Sequence, residues 1–315
     1  MAQGDFFAIG RPQWEAACKQ GVRHAAVILV MACGTQRDNV TTSWSADAAF
    51  RYAGVNWHKA RDAIGDLIKL GVVERLKDGK RPRYAIGRPD DDDDLIWLPN
   101  TLVTAAGKEK APIRRLREAQ DVDFMQAFVE LYGLHDLPGD GGLPRSLIRS
   151  PFLKAEHICD RGLYRIYGFM EAEERVCSYS GPLARFRGQR GAERNRVWDF
   201  IYAVEEMGLL ERVDYLTESD AADAELIHAV SGDDHGKAVA MAASFALEAL
   251  PDGHRHAAEK FTYALPVERH MCNVAVVGVY RLVYRPHTAR TTAWYSNHAA
   301  ACEAKANEYL RFGGA

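Results

Sequence analysis

From Gln13 to Cys33, apolar residues return every three or four positions: Trp14, Cys18, Val22, Ala25, Leu29 and Ala32. That spacing predicts one helix with a single apolar stripe, closed by Gly34. A polar loop over 35–42 follows. Ser43 or Ser45 can cap a short second helix that carries Asp47 in its first turn and stops at Gly54. Asn56 can cap a third, ending at Gly71, with Ala60, Ala63, Ile64, Leu67 and Ile68 as its apolar face. Val72–Leu76 then reads as a strand, Lys77-Asp78-Gly79-Lys80 contains the Asp-Gly hairpin signal, and Arg83–Ile86 is the return strand.

Asp90–Asp94 is a run of five aspartates, which self-repulsion keeps solvated; it is expected to act as a linker. Beyond it, Leu95–Pro99 predicts a short strand or an extended docking segment, and Asp123–Leu134 a helix. A loop at Pro138–Gly142 precedes a helix expected over Leu153–Ile166. A basic loop, Arg185–Arg196, runs into a helix expected over Glu193–Met207. Phe261–Leu265, Val274–Tyr284 and Thr291–Tyr295 look like strands, and His298–Leu310 like a closing helix.

One segment occurs twice. Asp62–Leu76 aligns with Asp199–Val213 at a constant offset, with identities at Asp62/Asp199, Ile64/Ile201, Gly71/Gly208, Glu74/Glu211 and Arg75/Arg212. Each copy is an apolar-striped helix, a glycine suited to the left-handed conformation that ends a helix cheaply, and a strand that leaves at once.

Charge separates the copies. The chain carries a net charge of -3, so no whole-protein basic field points to nucleic acid. Between Arg51 and Arg88, however, ten Lys/Arg face four carboxylates, a balance of +6. On the third helix the 100° step turns His58, Asp62, Gly65 and Lys69 away from the core, flanked by Lys59, Arg61 and Asp66. Asn reads adenine and Arg or Lys reads guanine through paired hydrogen bonds, so Asn56, His58, Lys59 and Arg61 are the candidate base readers. Lys69, Lys77, Lys80, Arg81 and Arg83 are the candidate phosphate contacts. In the second copy Lys69 becomes Glu206 and Arg61 becomes Trp198, and Glu218, Asp220, Asp223 and Glu225 make the downstream region acidic. Only its leading loop is basic, which adds Arg187, Arg190, Arg194 and Arg196 as DNA contacts; dimer or partner docking is the alternative role for this copy.

The six cysteines form no CxxC pair and read as scattered buried thiols. The start of the chain lacks a basic segment followed by an apolar core, so no signal peptide is expected. The longest apolar stretch, Ala25–Cys33, is far short of the roughly 20 residues that span a bilayer. The chain therefore reads as cytoplasmic, and nucleoid-associated if it binds DNA. His254, His256 and His270 with Cys272 match no standard metal spacing, and Asp252–His256 reads as an exposed loop. Arg281, Arg285, His287 and Arg290 form a second basic cluster. His287-Thr288-Ala289-Arg290 with Tyr295 resembles the His-x-x-Arg of tyrosine recombinases, without that family's surrounding frame. No catalytic constellation, cofactor or metal is expected.

Three helices followed by a hairpin, repeated through the Gly71 and Gly208 turns and with a wing at Asp78-Gly79, resemble tandem winged-helix proteins, notably plasmid and phage replication initiators. Single units resemble those of MarR-type regulators. In such initiators the C-terminal unit commonly reads the major groove, whereas here the N-terminal unit carries the charge. The expected fold is α+β and mainly helical: two winged helix-turn-helix domains in tandem (1–89 and 95–219, joined by the linker 90–94) plus a small C-terminal α/β region (220–315). The expected function is sequence-specific binding of double-stranded DNA as a regulator or initiator-like protein, with a homodimer as a further assembly. The alternatives are a protein-interaction module that does not bind DNA, and a nucleic-acid enzyme using the C-terminal basic cluster.

Overall fold

A computed structural model of the protein describes residues 6–79, 81–89, 91–105, 110–136, 139–172, 175–188, 196–285 and 288–314. Two compact units emerge, each assembled from separate stretches of chain: 1–135 with 180–209 and 283–287, and 136–179 with 210–282 and 288–315. The class is α+β.

In the first unit, β1 (Phe6–Gly10) leads into α1 (Arg11–Cys18) and α2 (Val22–Cys33). The single helix expected over Gln13–Cys33 is thus two, because Gly21 takes φ 99° and breaks the run. Residues 25–33 of α2 are all buried, so the longest apolar stretch is the heart of this core. Gly34 closes it, as expected. β2 (Thr41–Thr42), α3 (Ala46–Ala53) and α4 (Trp57–Lys69) follow, then β3 (Val73–Lys77) and β4 (Arg83–Ile86). The sheet order is β2-β4-β3, antiparallel. α3, α4, β3 and β4 lie where the sequence reading put them, whereas β2 falls in the stretch expected to be a polar loop and becomes a strand by pairing with β4.

The acidic run does not end the unit. Asp92–Asp94 form a 3-10 turn, held by Arg88 on Asp92 at 2.6 Å, and β5 (Leu95–Pro99) returns to pair with β1. α5 (Thr101–Thr104), α6 (Pro112–Glu118), α7 (Val122–Leu131) and, much later, α8 (Arg196–Glu206) complete it. Among the described residues no helix is long and apolar enough to cross a membrane.

The second unit is built on an antiparallel sheet. β6 (Ile148–Arg161), β7 (Tyr164–Glu171) and β8 (Val176–Cys177) come first, then β9 (Leu210–Thr217), β10 (Leu226–Ala229), β11 (Tyr263–Glu268) and β12 (Ala275–Leu282). The order is β10-β9-β12-β6-β7-β11, with β8 on β6. α9 (Asp234–Glu248), α10 (Asp252–Ala258) and α11 (Ala289–Gly314) complete the unit, and Val239, Ala243 and Tyr309 of α9 and α11 share a core with Val213, Tyr215 and Val276.

Four expectations fail here. The helix expected over Leu153–Ile166 is the β6–β7 hairpin: Gly162 turns at φ 57°, and the aromatic and β-branched run Tyr164, Ile166, Tyr167 and Phe169 suits a pleated surface. The strand expected over Thr291–Tyr295 is the first part of α11, started by Thr288, whose hydroxyl accepts from the Thr291 amide at 3.1 Å. The loop expected over Asp252–His256 is the helix α10. The second copy's strand, β9, pairs with β10 and β12 in this sheet instead of closing a small wing.

Candidate nucleic-acid interface

The start of α4 is fixed by Asn56, whose side-chain oxygen accepts from the amides of His58 at 3.1 Å and Lys59 at 3.5 Å. Two of the amides that a helix start leaves unpaired are thereby satisfied. Ala60, Ala63, Ile64 and Leu67 are buried, and α4 packs on α2 and α3. His58, Lys59, Arg61, Asp62 and Lys69 are exposed as a result. A Cβ added to Gly65 would meet no atom within 4 Å, so this position leaves open space on the outer side of the helix.

The β3–β4 hairpin is seated by Val73, Tyr84 and Ile86, all buried. Its remaining side chains turn out: Arg75, Lys77, Arg81 and Arg83 are exposed. The register sets Lys77 directly opposite Arg83. Like charges facing across a ladder are unfavourable in water, and an anion lying over them relieves that repulsion. A groove of about 360 Å³ runs between α4 and the hairpin, lined by Trp57 and Arg61 on one side and Arg75, Asp78 and Tyr84 on the other. The Arg61 guanidinium lies 5.7 Å from the Trp57 ring centre.

Some of the local charge is already neutralised. Lys69 and His24 hydrogen-bond to Asp66 (3.2 and 3.4 Å), and the Lys69 bond, then the His24 bond, hold the Asp66 carboxyl below the usual carboxylate range. Arg75 pairs with Asp78 at 3.0 Å. Among the described residues Lys59, Arg61, Lys77, Arg81 and Arg83 form no ion pair.

The sequence-derived residues therefore separate into two groups. Asn56, His58, Lys59, Arg61, Lys69, Lys77, Arg81 and Arg83 come together on α4 and the hairpin of one unit. Asn56 spends its carbonyl on the helix cap, which removes half of the pair needed to read adenine. Arg187 is exposed, after the 3-10 turn Gly181–Phe186. Arg196 is bound to Asp121 at 3.0 Å and Asp123 at 3.4 Å, so it offers little charge to a phosphate. Lys80, Arg190 and Arg194 lie outside the described residues. The sequence pattern did not point to Trp57, Arg23 or Arg117. Gly21, which the single-helix reading passes over, is the local signal that a helix restarts at Val22 ahead of Arg23, and Arg117 comes beside the start of α4 through the fold.

The C-terminal basic cluster is not a surface patch. Arg281 and Arg285 are buried, and His287 lies outside the described residues. Arg281 sits between the rings of Tyr215 and Trp294, 3.6 Å from Asp233. Asp233 also accepts from His298 at 3.0 Å. Burial alone would lower the His298 pKa, but the bonds to Asp233 and Cys302 outweigh it and raise it to about 9. His228, buried against Tyr309, is pushed down to about 4 by burial. No group of three metal-binding side chains occurs among the described residues. Cys18, Cys33 and Cys302 are buried, with burial lifting the Cys33 thiol to about 12, whereas Cys272 is exposed. No protein-family model matches the chain, and no curated protein or solved structure matches it.

Proposed function

We propose that α2, α3 and α4 with the β2-β4-β3 sheet form a winged helix-turn-helix that binds double-stranded DNA sequence-specifically. In this reading α3 and α4 are joined by the turn at Gly54, α4 enters the major groove, and the β3–β4 hairpin is the wing. The observation that carries it is the shared exposed surface of Lys59, Arg61, Lys77, Arg81 and Arg83, with Lys77 facing Arg83 across the hairpin. Concentrated cations that form no ion pair among the described residues are what neutralising a row of phosphates requires. His58 and Arg61 take the base-reading positions, Lys59 lies beside them toward the flanking phosphates, and Asn56 orients them as the cap. The protein then acts in the cytoplasm on chromosomal, plasmid or phage DNA, as a regulator or replication initiator-like factor.

The repeated α8–Gly208–β9 connection delivers its strand to the larger sheet, so this reading includes no second wing. Its helix offers Tyr202, half exposed, and Glu206 where α4 offers Gly65 and Lys69. That surface favours contact with a protein, including a second copy of the chain, over contact with DNA.

Selection from a pool of random duplexes, followed by sequencing, tests the proposal. Enrichment of a motif that changes in the Arg61→Ala or His58→Ala variant supports base reading by α4. A selection that enriches no motif, with no duplex retained at low salt, removes it.

A further inference from the structure

Within the first unit a cavity of about 670 Å³ opens beside the start of α4, bounded by the beginning of α2, the α3–α4 turn and the end of α6. Three cations line it: Arg23 from α2, Lys59 from α4 and Arg117 from α6, with His24 alongside. None of its twelve lining residues is a carboxylate, whereas the groove beside the hairpin contains Asp47 and Asp78. Among the described residues Arg23 and Lys59 form no ion pair. Arg117 is aimed by its Nε, which donates to the Ala53 carbonyl at 2.7 Å, and its Nη2 is 3.8 Å from Glu118.

Three carboxylates on neighbouring elements are occupied. Glu118 takes Lys110 and Arg114, each at 3.1 Å; Asp121 caps α7 and holds Arg196; Asp66 takes Lys69 and His24. His24 turns Nε2 to Asp66, which leaves its buried Nδ1 without a partner. Gly21 brings no capping side chain to α2, so the positive end of that helix faces the same space.

We propose that this cavity binds a phosphate group. Arg23, Lys59 and Arg117 approach from three elements, a geometry suited to a tetrahedral anion with several acceptor oxygens. The phosphate has two sources. One is a backbone phosphodiester of the duplex flanking α4, which rests on the DNA reading above. The other is a free phosphate or phosphomonoester, which does not.

The test uses the full chain and the Arg23→Gln variant, since Arg23 is exposed and its loss leaves the core intact. Arg117→Lys, which keeps the charge and gives up the planar fork, is the second variant. Inorganic phosphate is titrated calorimetrically, and affinity for a duplex is followed against salt. Loss of one charge-assisted contact predicts phosphate binding about tenfold weaker in Arg23→Gln. It also predicts that the slope of log affinity against log salt falls by about one. Either change supports the cavity, the first alone identifying free phosphate and the second alone the DNA backbone. Phosphate binding that weakens in Arg23→Gln, by a chain that ignores duplex, keeps the cavity and removes the DNA reading; phosphate bound equally by such a chain and both its variants removes the cavity as well. Duplex binding with an unchanged slope in both variants, and no heat with phosphate, removes the cavity and keeps the DNA reading. A chain that binds neither overturns both.

Discussion

In α4–Gly71–β3 and in α8–Gly208–β9 the glycine takes φ 71° and 64° and closes its helix with the same two backbone bonds. Gly71 donates to the Ile68 carbonyl and Val72 to Leu67, each at 3.0 Å. Gly208 donates to Glu205 at 2.8 Å and Leu209 to Val204 at 3.0 Å. The arginine after each turn is also shared, yet its surroundings differ. Arg75 stays in its hairpin, paired with Asp78, whereas Arg212 is bound by Glu171 at 2.5 Å and Asp214 at 3.0 Å in a larger sheet. The repeated segment specifies a helix stop and a strand start. What the strand pairs with, and where its charge goes, is set by chain outside the repeat.

The largest effect that separates the two regions is expected from pH. Two histidines of the second unit are shifted in opposite directions. His298, raised to about 9 from 6.5, adds stability that is fully present below pH 6.5 and is lost as pH rises through 9. His228, lowered to about 4, must stay neutral to remain buried; its penalty is absent above pH 6.5 and grows as pH falls toward 4. Each arm amounts to at most about 3 kcal/mol, and less for His298, because its partner Asp233 is partly exposed and water screens the pair. Urea midpoints of the second unit should therefore peak near pH 6.5 and fall on both sides. His298→Gln should flatten the alkaline arm alone, and a midpoint that climbs steadily to pH 9 contradicts the assignment.

The next effect concerns duplex affinity. Replacing both Arg81 and Arg83 with Ala should weaken binding to every duplex sequence by about tenfold or more and lower the salt slope by about two. Fluorescence anisotropy across a salt series checks this. A loss confined to one sequence would move these residues from phosphate contact to base reading.

How far the chain could be read in advance follows from the same contrast. α3, α4, β3 and β4 were legible because each rests on local chemistry: the Asn56 cap, the left-handed glycines 54 and 71, and the Asp78-Gly79 turn. The cations of α4 and the hairpin were legible for the same reason. β1 was not, because five residues with no strong alternation gain their strand only by pairing with β5, far along the chain. The β6–β7 hairpin was hidden by apolar spacing that also suits a helix, and the phosphate cavity by drawing Arg117 from a distant segment. Arg281 looked like surface charge, and only the tertiary packing of Tyr215 and Trp294 around it takes it inside.

Glycine substitutions sharpen the comparison at smaller amplitude. Gly71→Ala and Gly208→Ala should each cost about 1–2 kcal/mol, because both force a side chain into the left-handed region. Neither glycine has an atom within 3.4 Å of an added Cβ, so strain and not crowding sets the cost. Equal shifts in chemical denaturation support equal turns; a difference beyond about 1 kcal/mol would mean the two contexts strain the backbone differently. Gly65→Ala has the opposite sign. It should stabilise α4 by up to about 1 kcal/mol through helix propensity while weakening duplex binding, because it fills the open space on the outer face. The aligned residue in α8 is Tyr202, which already fills that space.

Photo-cross-linking of the full chain to a bromouracil-substituted duplex, with peptide mapping by mass spectrometry, tests the central claim most directly. Cross-links should concentrate in residues 56–69 and 77–83, with none on α8. Cross-links confined to 196–206, or none at any site under conditions that retain the duplex, would contradict it.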